Sequence, residues 1–454
     1  MPASATTGVD PAWPSSRRGQ RVARELFETV ADQPLVSVHN GLPARYLAED
    51  LPITDPINLL ISHDQGLQAL LRSSGVKPEF SLTNGWRAGD ESRQAFVVVW
   101  RHLAAAWAQP WMQADGDAIT ALAGIPSFRE DRDPKAVYDA LVDQLAEQPM
   151  YPRRLLMSAN LARFATSDDP ADTLRAHQQL SDDPDFSGRV VPTFSPDRYL
   201  DPARRRWRTD ADLLAEVTGV GTEDLDGFVE ALQERRQFFV SGGALATEHH
   251  SSDVTVARLP TQDAARFYRL ARSAELLPAE SQALAGHLLW EMGRMAAEDG
   301  LVMGLFPPAG MATQALSGPE HVDHGVADRI RPLLTDFGGS ANFRLRLFTI
   351  DTDAYTTEIV PLAAEHPSLS AVPPTRFADN PAVLRAARVA AITAQGATRS
   401  LGVVDDMSGP FVLAPRHRLG RRLDAGALAE LVVARRLTLE SAAAELTAAV
   451  AQSG

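Results

Sequence analysis

The feature that most constrains this chain is an alternation. Short runs of residues suited to β-strands recur, and long stretches with helical apolar spacing fill most of the gaps between them. The runs are Leu35 to His39, Leu161 to Thr166, Arg189 to Phe194, Gln237 to Val240, Leu301 to Phe306, Phe343 to Phe348, Leu369 to Val372 and Ser400 to Val404. Several are almost continuously apolar, as strands buried on both faces are. The stretches Ala264 to Asp299 and Ala382 to Gln395 carry helical patterns. Strand, helix, strand in sequence implies parallel pairing with helical crossovers. Eight such strands predict an α/β fold, a (β/α)8 TIM barrel.

The spacing is uneven in one place. More than a hundred residues separate the first run from the second. Helical patterns occur there at Ser92 to Ala108 and Pro134 to Glu147, with four of the seven tryptophans: Trp86, Trp100, Trp107 and Trp111. This implies a packed helical insertion. The organisation predicted is a lead and helix over 1–34, a barrel over 35–424 with an insertion at about 65–155, and two closing helices over 425–454.

Composition narrows the function classes. The chain has 454 residues, enough for a large core without covalent staples. It has no cysteine, so disulfides, thiolate metal sites and cysteine nucleophiles are excluded. With 58 acidic and 44 basic side chains the net charge is −14, which argues against a nucleic-acid partner. No apolar stretch approaches the ~20 residues of a membrane span, and Met1 to Pro14 has no apolar signal core. No nucleic acid and no membrane are expected as partners, and the expected setting is cytoplasmic.

In a closed α/β barrel, reactive groups gather where the strands end. Successive runs are followed by His39-Asn40-Gly41, Ser167-Asp168-Asp169-Pro170, Ser195-Pro196-Asp197, Glu248-His249-His250, Phe306-Pro307-Pro308, Asp351 and Asp353, Thr375-Arg376, and Asp405-Asp406. Histidines and carboxylates at one mouth suffice for general acid–base chemistry. Each also has a plainer reading. His39 could bond backbone, and Asp168-Asp169-Pro170 or Asp405-Asp406 could start a helix or cap a turn. His249 and His250 point apart if both lie in a strand. His321 and His324 look metal-like but lack a helix to align them. Arg204-Arg205-Arg206 reads as a solvated loop. Nucleotide-binding glycine fingerprints and a nucleophile elbow are missing.

Thr166-Ser167-Asp168-Asp169-Pro170-Ala171-Asp172-Thr173-Leu174, then His177, then Val191-Pro192-Thr193-Phe194-Ser195-Pro196-Asp197, resembles the uronate (glucuronate) isomerase family of the amidohydrolase superfamily. Leu71 to Val76, Asp405-Asp406 and Arg416 to Arg422 resemble further blocks of that family. The resemblance runs from about Leu35 to the C-terminus. It implies a (β/α)8 barrel, an aldose–ketose exchange of uronates by proton transfer, a divalent metal and homo-oligomers. The family's metal is held by a His-x-His pair on the first strand and an aspartate on the eighth. Here His39 and Asp406 match, but Gly41 stands at the second histidine. Two ligands fall short of the three that zinc wants.

The positions that hold substrate in the family also differ. Its arginines fall at Ser195 and Ser408, and its fifth-strand histidine and arginine fall at Phe306 and Met311. Its tryptophan pair becomes Thr375-Arg376, and its Asp-His-Tyr becomes Asp64-Gln65-Gly66. A uronate carboxylate favours bidentate arginines. Two lost charge-assisted contacts amount to ~3–6 kcal/mol, roughly a hundred- to tens of thousands-fold in affinity.

The predicted function is therefore a divergent enzyme of the isomerase or lyase type. It would perform a non-hydrolytic acid–base reaction (isomerisation, dehydration or cyclisation) on a less polar small molecule in specialised metabolism. His39, Glu248, His249 and Asp406 are the predicted catalytic groups. Ser195, Phe306, Met311, Arg376, Asp405 and Ser408 are the predicted substrate contacts. No cofactor is expected; if zinc or manganese is bound, His39 and Asp406 are its ligands. The alternatives are a true uronate isomerase with a rearranged metal site, and a non-catalytic barrel that acts as a binding protein.

Overall fold

The computed structural model describes residues 10–62, 86–105, 118, 122, 133–186, 189–250, 255–306, 325–349, 352–374, 380–404 and 409–452. These form two compact units. The first comprises Met1–Ala165, Gln179–Val190 and Pro373–Gly454; the second comprises Thr166–Gln178 and Val191–Val372. The predicted boundaries at 34 and 424 do not coincide with this division.

Seven strands occur among the described residues: β1 (Leu35–Ser37), β2 (Leu161–Ala165), β3 (Arg189–Val191), β4 (Ala246–His249), β5 (Val302–Leu305), β6 (Leu345–Leu347) and β7 (Leu369–Ala371). One sheet has the order β1-β2-β3 and another β4-β5-β6-β7. The pairs β1–β2, β4–β5, β5–β6 and β6–β7 are all parallel. Helices separate successive strands, as parallel crossovers require.

Two predicted strands are corrected. Gln237 to Val240 lies inside the helix Leu225–Ser241, whose buried residues Phe228, Ala231, Leu232, Arg235, Arg236 and Phe239 recur at helical spacing. Its aromatic and β-branched composition suggested a strand, but Phe238 and Val240 face solvent. The fourth strand is Ala246–His249 instead. Ser400 to Val404 is not a strand either. Ser400 closes the short helix Ala397–Ser400, and Gly402 sits at φ +84°, which a regular strand does not adopt. The Gly402 N–H donates to the Asp424 carboxylate at 3.0 Å rather than to a neighbouring strand.

The first unit is mostly helical. Three of its helices begin where a side-chain acceptor is followed by proline: Asp55-Pro56, Asp133-Pro134 and Asn380-Pro381. In each, the acceptor takes an N–H of the first turn, and proline at the first helical position sacrifices no hydrogen bond. The insertion contains the helices Asp90–Ala105 and Pro134–Glu147, close to their predicted spans. The helix Leu413–Val433 runs across the predicted boundary at 424 and is buried along most of its length. Leu439–Gln452 follows it, so two C-terminal helices are present.

A buried ion pair joins Leu413–Val433 to Pro381–Gln395. Arg388 Nε donates to Asp424 Oδ1 at 2.7 Å, and both side chains are almost inaccessible. Asp424→Ala leaves this guanidinium without its counter-charge, so urea unfolding should report a loss of about 3–5 kcal/mol. An unchanged midpoint would remove the pair from the determinants of this unit.

In the second unit the β4–β7 sheet continues through isolated parallel bridges, Phe194 to Thr247 and Asp168 to Phe194. The helix Pro278–Asp299 carries His287, whose Nδ1 accepts the Leu259 N–H at 3.3 Å and whose ring stacks on Trp290. Burial, reinforced by the Arg258 charge against that of Glu291, lowers the His287 pKa. The unfolded chain therefore takes up a proton below its ordinary pKa of ~6.5 that the folded chain refuses. Stability should fall as pH drops below that value, and His287→Phe should flatten the slope in a pH series of denaturation midpoints.

Candidate functional site at the strand ends

The carboxyl ends of β2 to β6 present the chemistry of the second unit. The bridges set the register: Phe194 lies beside Asp168 on one side and Thr247 on the other. The Asp168 N–H donates to the Thr193 carbonyl at 3.0 Å, Ser195 N–H to Asp168 at 2.9 Å, and Glu248 N–H to Phe194 at 3.0 Å. These bonds fix which residues share a face.

Side chains alternate along β4. Thr247 and His249 share one face, where Thr247 Oγ1 and His249 Nε2 are 3.1 Å apart. His249 is fully buried, and burial pushes its pKa down to about 3, with the charges of Arg236 and His250 acting the same way and Asp197 opposing. This ring is a neutral imidazole at ordinary pH. Arg236 lies behind this face: its guanidinium is 5.6 Å from the Phe194 ring and is held by Asp299 at 2.9 and 3.1 Å.

Glu248 lies on the opposite face of β4, and His250 follows with the same parity. The Ser167 hydroxyl donates to Glu248 Oε1. Asp197 receives the His250 backbone N–H at 2.9 Å and faces its ring nitrogen Nδ1 at 2.8 Å. Burial alone would raise the Asp197 pKa, but the hydrogen bonds and charge of His250 hold it below the ordinary value. A carboxylate there places the imidazole proton on Nδ1 and leaves Nε2 as the atom for acid–base exchange or ligation. The His250 ring stacks on Phe306 (centroids 4.9 Å apart), and Phe306 stacks on Phe348 at 4.1 Å. An aromatic wall thus lies beside the imidazole.

Asp168-Asp169-Pro170 is not the start of a helix, because Arg175–Ser181 begins five residues beyond Pro170. Asp169 instead binds Arg198, at 2.7 Å from both Nε and Nη2. Arg198 also lies 3.5 Å from Asp210, so its charge is already matched by two carboxylates.

The predicted residues are therefore placed as follows. Glu248, His249, Ser195 and Phe306 belong to strand ends of the second unit, with Glu248 and His249 on opposite faces. His39 is buried just beyond β1 in the first unit. Asp406, Asp405, Ser408, Met311 and Arg376 lie outside the described residues, as do His321 and His324. Sequence reading had assigned no role to Ser167, Asp197 or His250. The signal for Asp197 was its place in Pro-Thr-Phe-x-Pro-Asp; the signal for His250 was its parity with Glu248.

Asp197→Ala should release the tautomer. Nitrogen NMR of imidazole-labelled protein should show Nδ1–H for His250 in the parent and a tautomer mixture in the variant. An identical spectrum would show that Asp197 does not orient the ring.

A family model described as glucuronate isomerase matches residues 18–309. The chain is 32% identical over 450 residues to the uronate isomerase of Cutibacterium acnes, covering 96% of this chain and 95% of that protein. It is 32% identical over 452 residues to that of Corynebacterium efficiens, covering 96% and 94%. The crystal structure of glucuronate isomerase from Caulobacter crescentus superposes with a TM-score of 0.84 at 26% identity, covering 97% of this chain and 94% of that one. The uronate isomerase of Thermotoga maritima gives 0.83 at 21% identity, covering 99% of each, a likeness of fold. The fold is accordingly the TIM-barrel-like α/β fold, and this chain belongs to the uronate isomerase family, a family of isomerase enzymes.

Proposed function

We propose that the chain catalyses an aldose–ketose type of isomerisation on a small hydroxy-carbonyl compound that is held less by cationic side chains than a uronate is. The observation that carries this reading is the pairing on one face of the β4 end. There a carboxylate held by Ser167 and an imidazole held by Asp197 stand against an aromatic wall. Glu248 takes the proton from the carbon beside the carbonyl and returns it to the neighbouring carbon. His250 Nε2 exchanges a proton with the substrate oxygens, and Asp197 steadies the ring in both charge states. His39 and Asp406 are further candidates for proton transfer from the sequence, and the family resemblance implies them as metal ligands.

The reduced role of cations rests on the departures from the family at Ser195, Phe306, Met311 and Ser408. Phe306 puts a phenyl ring where the family has a histidine, and Arg198 is already paired with Asp169. Specialised metabolism would suit such a change of substrate.

The donor types at this strand end also suit a divalent ion. The Glu248 carboxylate and His250 imidazole would hold zinc or manganese. A bound ion would polarise the substrate carbonyl. That donor pair gives the expectation of a metal-free enzyme no support.

The test is an isomerase assay on D-glucuronate, D-galacturonate and the corresponding uncharged aldoses, with and without added zinc or manganese. The expected result is a higher kcat/KM for an uncharged substrate and a kcat ~10²–10⁴-fold lower in Glu248→Gln. A clear preference for a uronate would establish the second reading, uronate isomerisation itself, which the 32% identity to named uronate isomerases favours. Unchanged turnover in Glu248→Gln would overturn the assignment of the base.

A further inference from the structure

Behind Ser167 lies a buried group that the proposed chemistry does not use. Thr166, Asp168 and His177 are each at most 6% exposed. Thr166 Oγ1 is 2.6 Å from Asp168 Oδ2 and 2.8 Å from His177 Nε2. His177 Nε2 is 3.4 Å from Asp168 Oδ2. The Thr166 hydroxyl has one proton, and the carboxylate at 2.6 Å takes it. The bond to His177 then requires the imidazole to donate from Nε2, which leaves Nδ1 as a bare acceptor. His177 Nδ1 is indeed buried with no hydrogen-bond partner among the described residues. The order of donation is therefore His177 to Thr166 to Asp168.

Asp168 spends its remaining capacity on the neighbouring strand end. Its carboxylate accepts the Thr193 N–H at 3.3 Å, and its backbone exchanges bonds with Thr193 and Ser195. Ser167 lies between Thr166 and Asp168, so its two chain neighbours are both anchored. Its own side chain points the other way, as alternation requires, and donates to Glu248.

We propose that His177 is a positioning residue for Glu248: through Thr166 and Asp168 it fixes the end of β2 so that the Ser167 hydroxyl holds the Glu248 carboxylate. A buried carboxylate oxygen held by several donors is fixed in place, and loss of one donor leaves it under-satisfied. The inference rests on the proposed role of Glu248 for its kinetic consequence but not for its geometric one.

The test uses the full chain with His177→Phe, Thr166→Val and Ser167→Ala, alone and paired, on whichever aldose or uronate the assay above turns over. Each single substitution should lower kcat by ~10-fold, about the worth of one hydrogen bond, with KM changed less than ~2-fold. Each paired variant with Ser167→Ala should lose no more than Ser167→Ala alone, because all act through one contact. Thr166→Ser should restore kcat. Losses that multiply in the paired variants, or a lowered melting temperature with kcat unchanged, would overturn the proposal.

A crystal structure of Thr166→Val supplies an arm that needs no substrate. The Ser167–Glu248 hydrogen bond should be present in the parent and broken in the variant; its persistence in the variant would overturn the proposal. If no sugar is turned over, the function reading fails while this arm still decides the positioning role. Should His177→Phe fail to fold, Thr166→Val carries both arms.

Discussion

Parallel pairing with a fixed register is the constraint on which the site depends. Parallel strands end at the same edge of their sheet, so residues distant in sequence meet there. In the second unit, Phe194 is bridged to both Asp168 and Thr247. This sets the parity of every later side chain. A slip of one residue in β4 would exchange Glu248 and His250 for Thr247 and His249.

The two faces of β4 follow different electrostatic rules. On one face the nearest groups are aromatic or paired: Phe194 packs edge-on against Phe239, and Arg236 is neutralised by Asp299. A second charge there would be costly, which is why His249 stays neutral. On the other face, polar partners are supplied one by one. Ser167 serves Glu248, and Asp197 serves His250. Acid–base chemistry belongs on the side where a change of charge is met by a partner already in place.

Kinship and divergence are both written in the same segments. The Asp-Asp-Pro and Pro-Thr-Phe-x-Pro-Asp blocks build the ends of β2 and β3, and their roles here are largely architectural: Asp168 rivets two strand ends, and Asp169 binds Arg198. Asp197 is the member that reaches the His250 ring. Ser195 and Phe306 sit at the same edge: the Ser195 N–H donates to the Asp168 carbonyl through the backbone, and the Phe306 ring stacks on His250. A backbone hydrogen bond such as that of Ser195 does not depend on the side chain, so the side chain at such a position can change while the strand end is kept.

The alternation of apolar runs and helical stretches determined the fold class, since period and burial are local properties that a sequence displays directly. Six of the seven strands among the described residues were legible for that reason. The two failures were also local in origin: Gln237 to Val240 has strand composition within a helical period, and Gly402 takes a backbone conformation that no apolar pattern reveals. Phe306 could be found because it follows a strand; Glu248 lies within β4 and was reached only from the neighbouring run Gln237 to Val240, which is helical. The partnership of Asp197 with His250, of Ser167 with Glu248, and of His177 with Thr166 and Asp168 could not be found. The first two pairings cross strands, and the register that creates them is set by hydrogen bonds between backbones far apart in sequence; the third is a short-range contact between a strand end and the helix Arg175–Ser181. The types of reactive group were thus a property of the sequence, whereas their pairing, their faces and the protonation state of His249 were decided by tertiary structure, through register and burial.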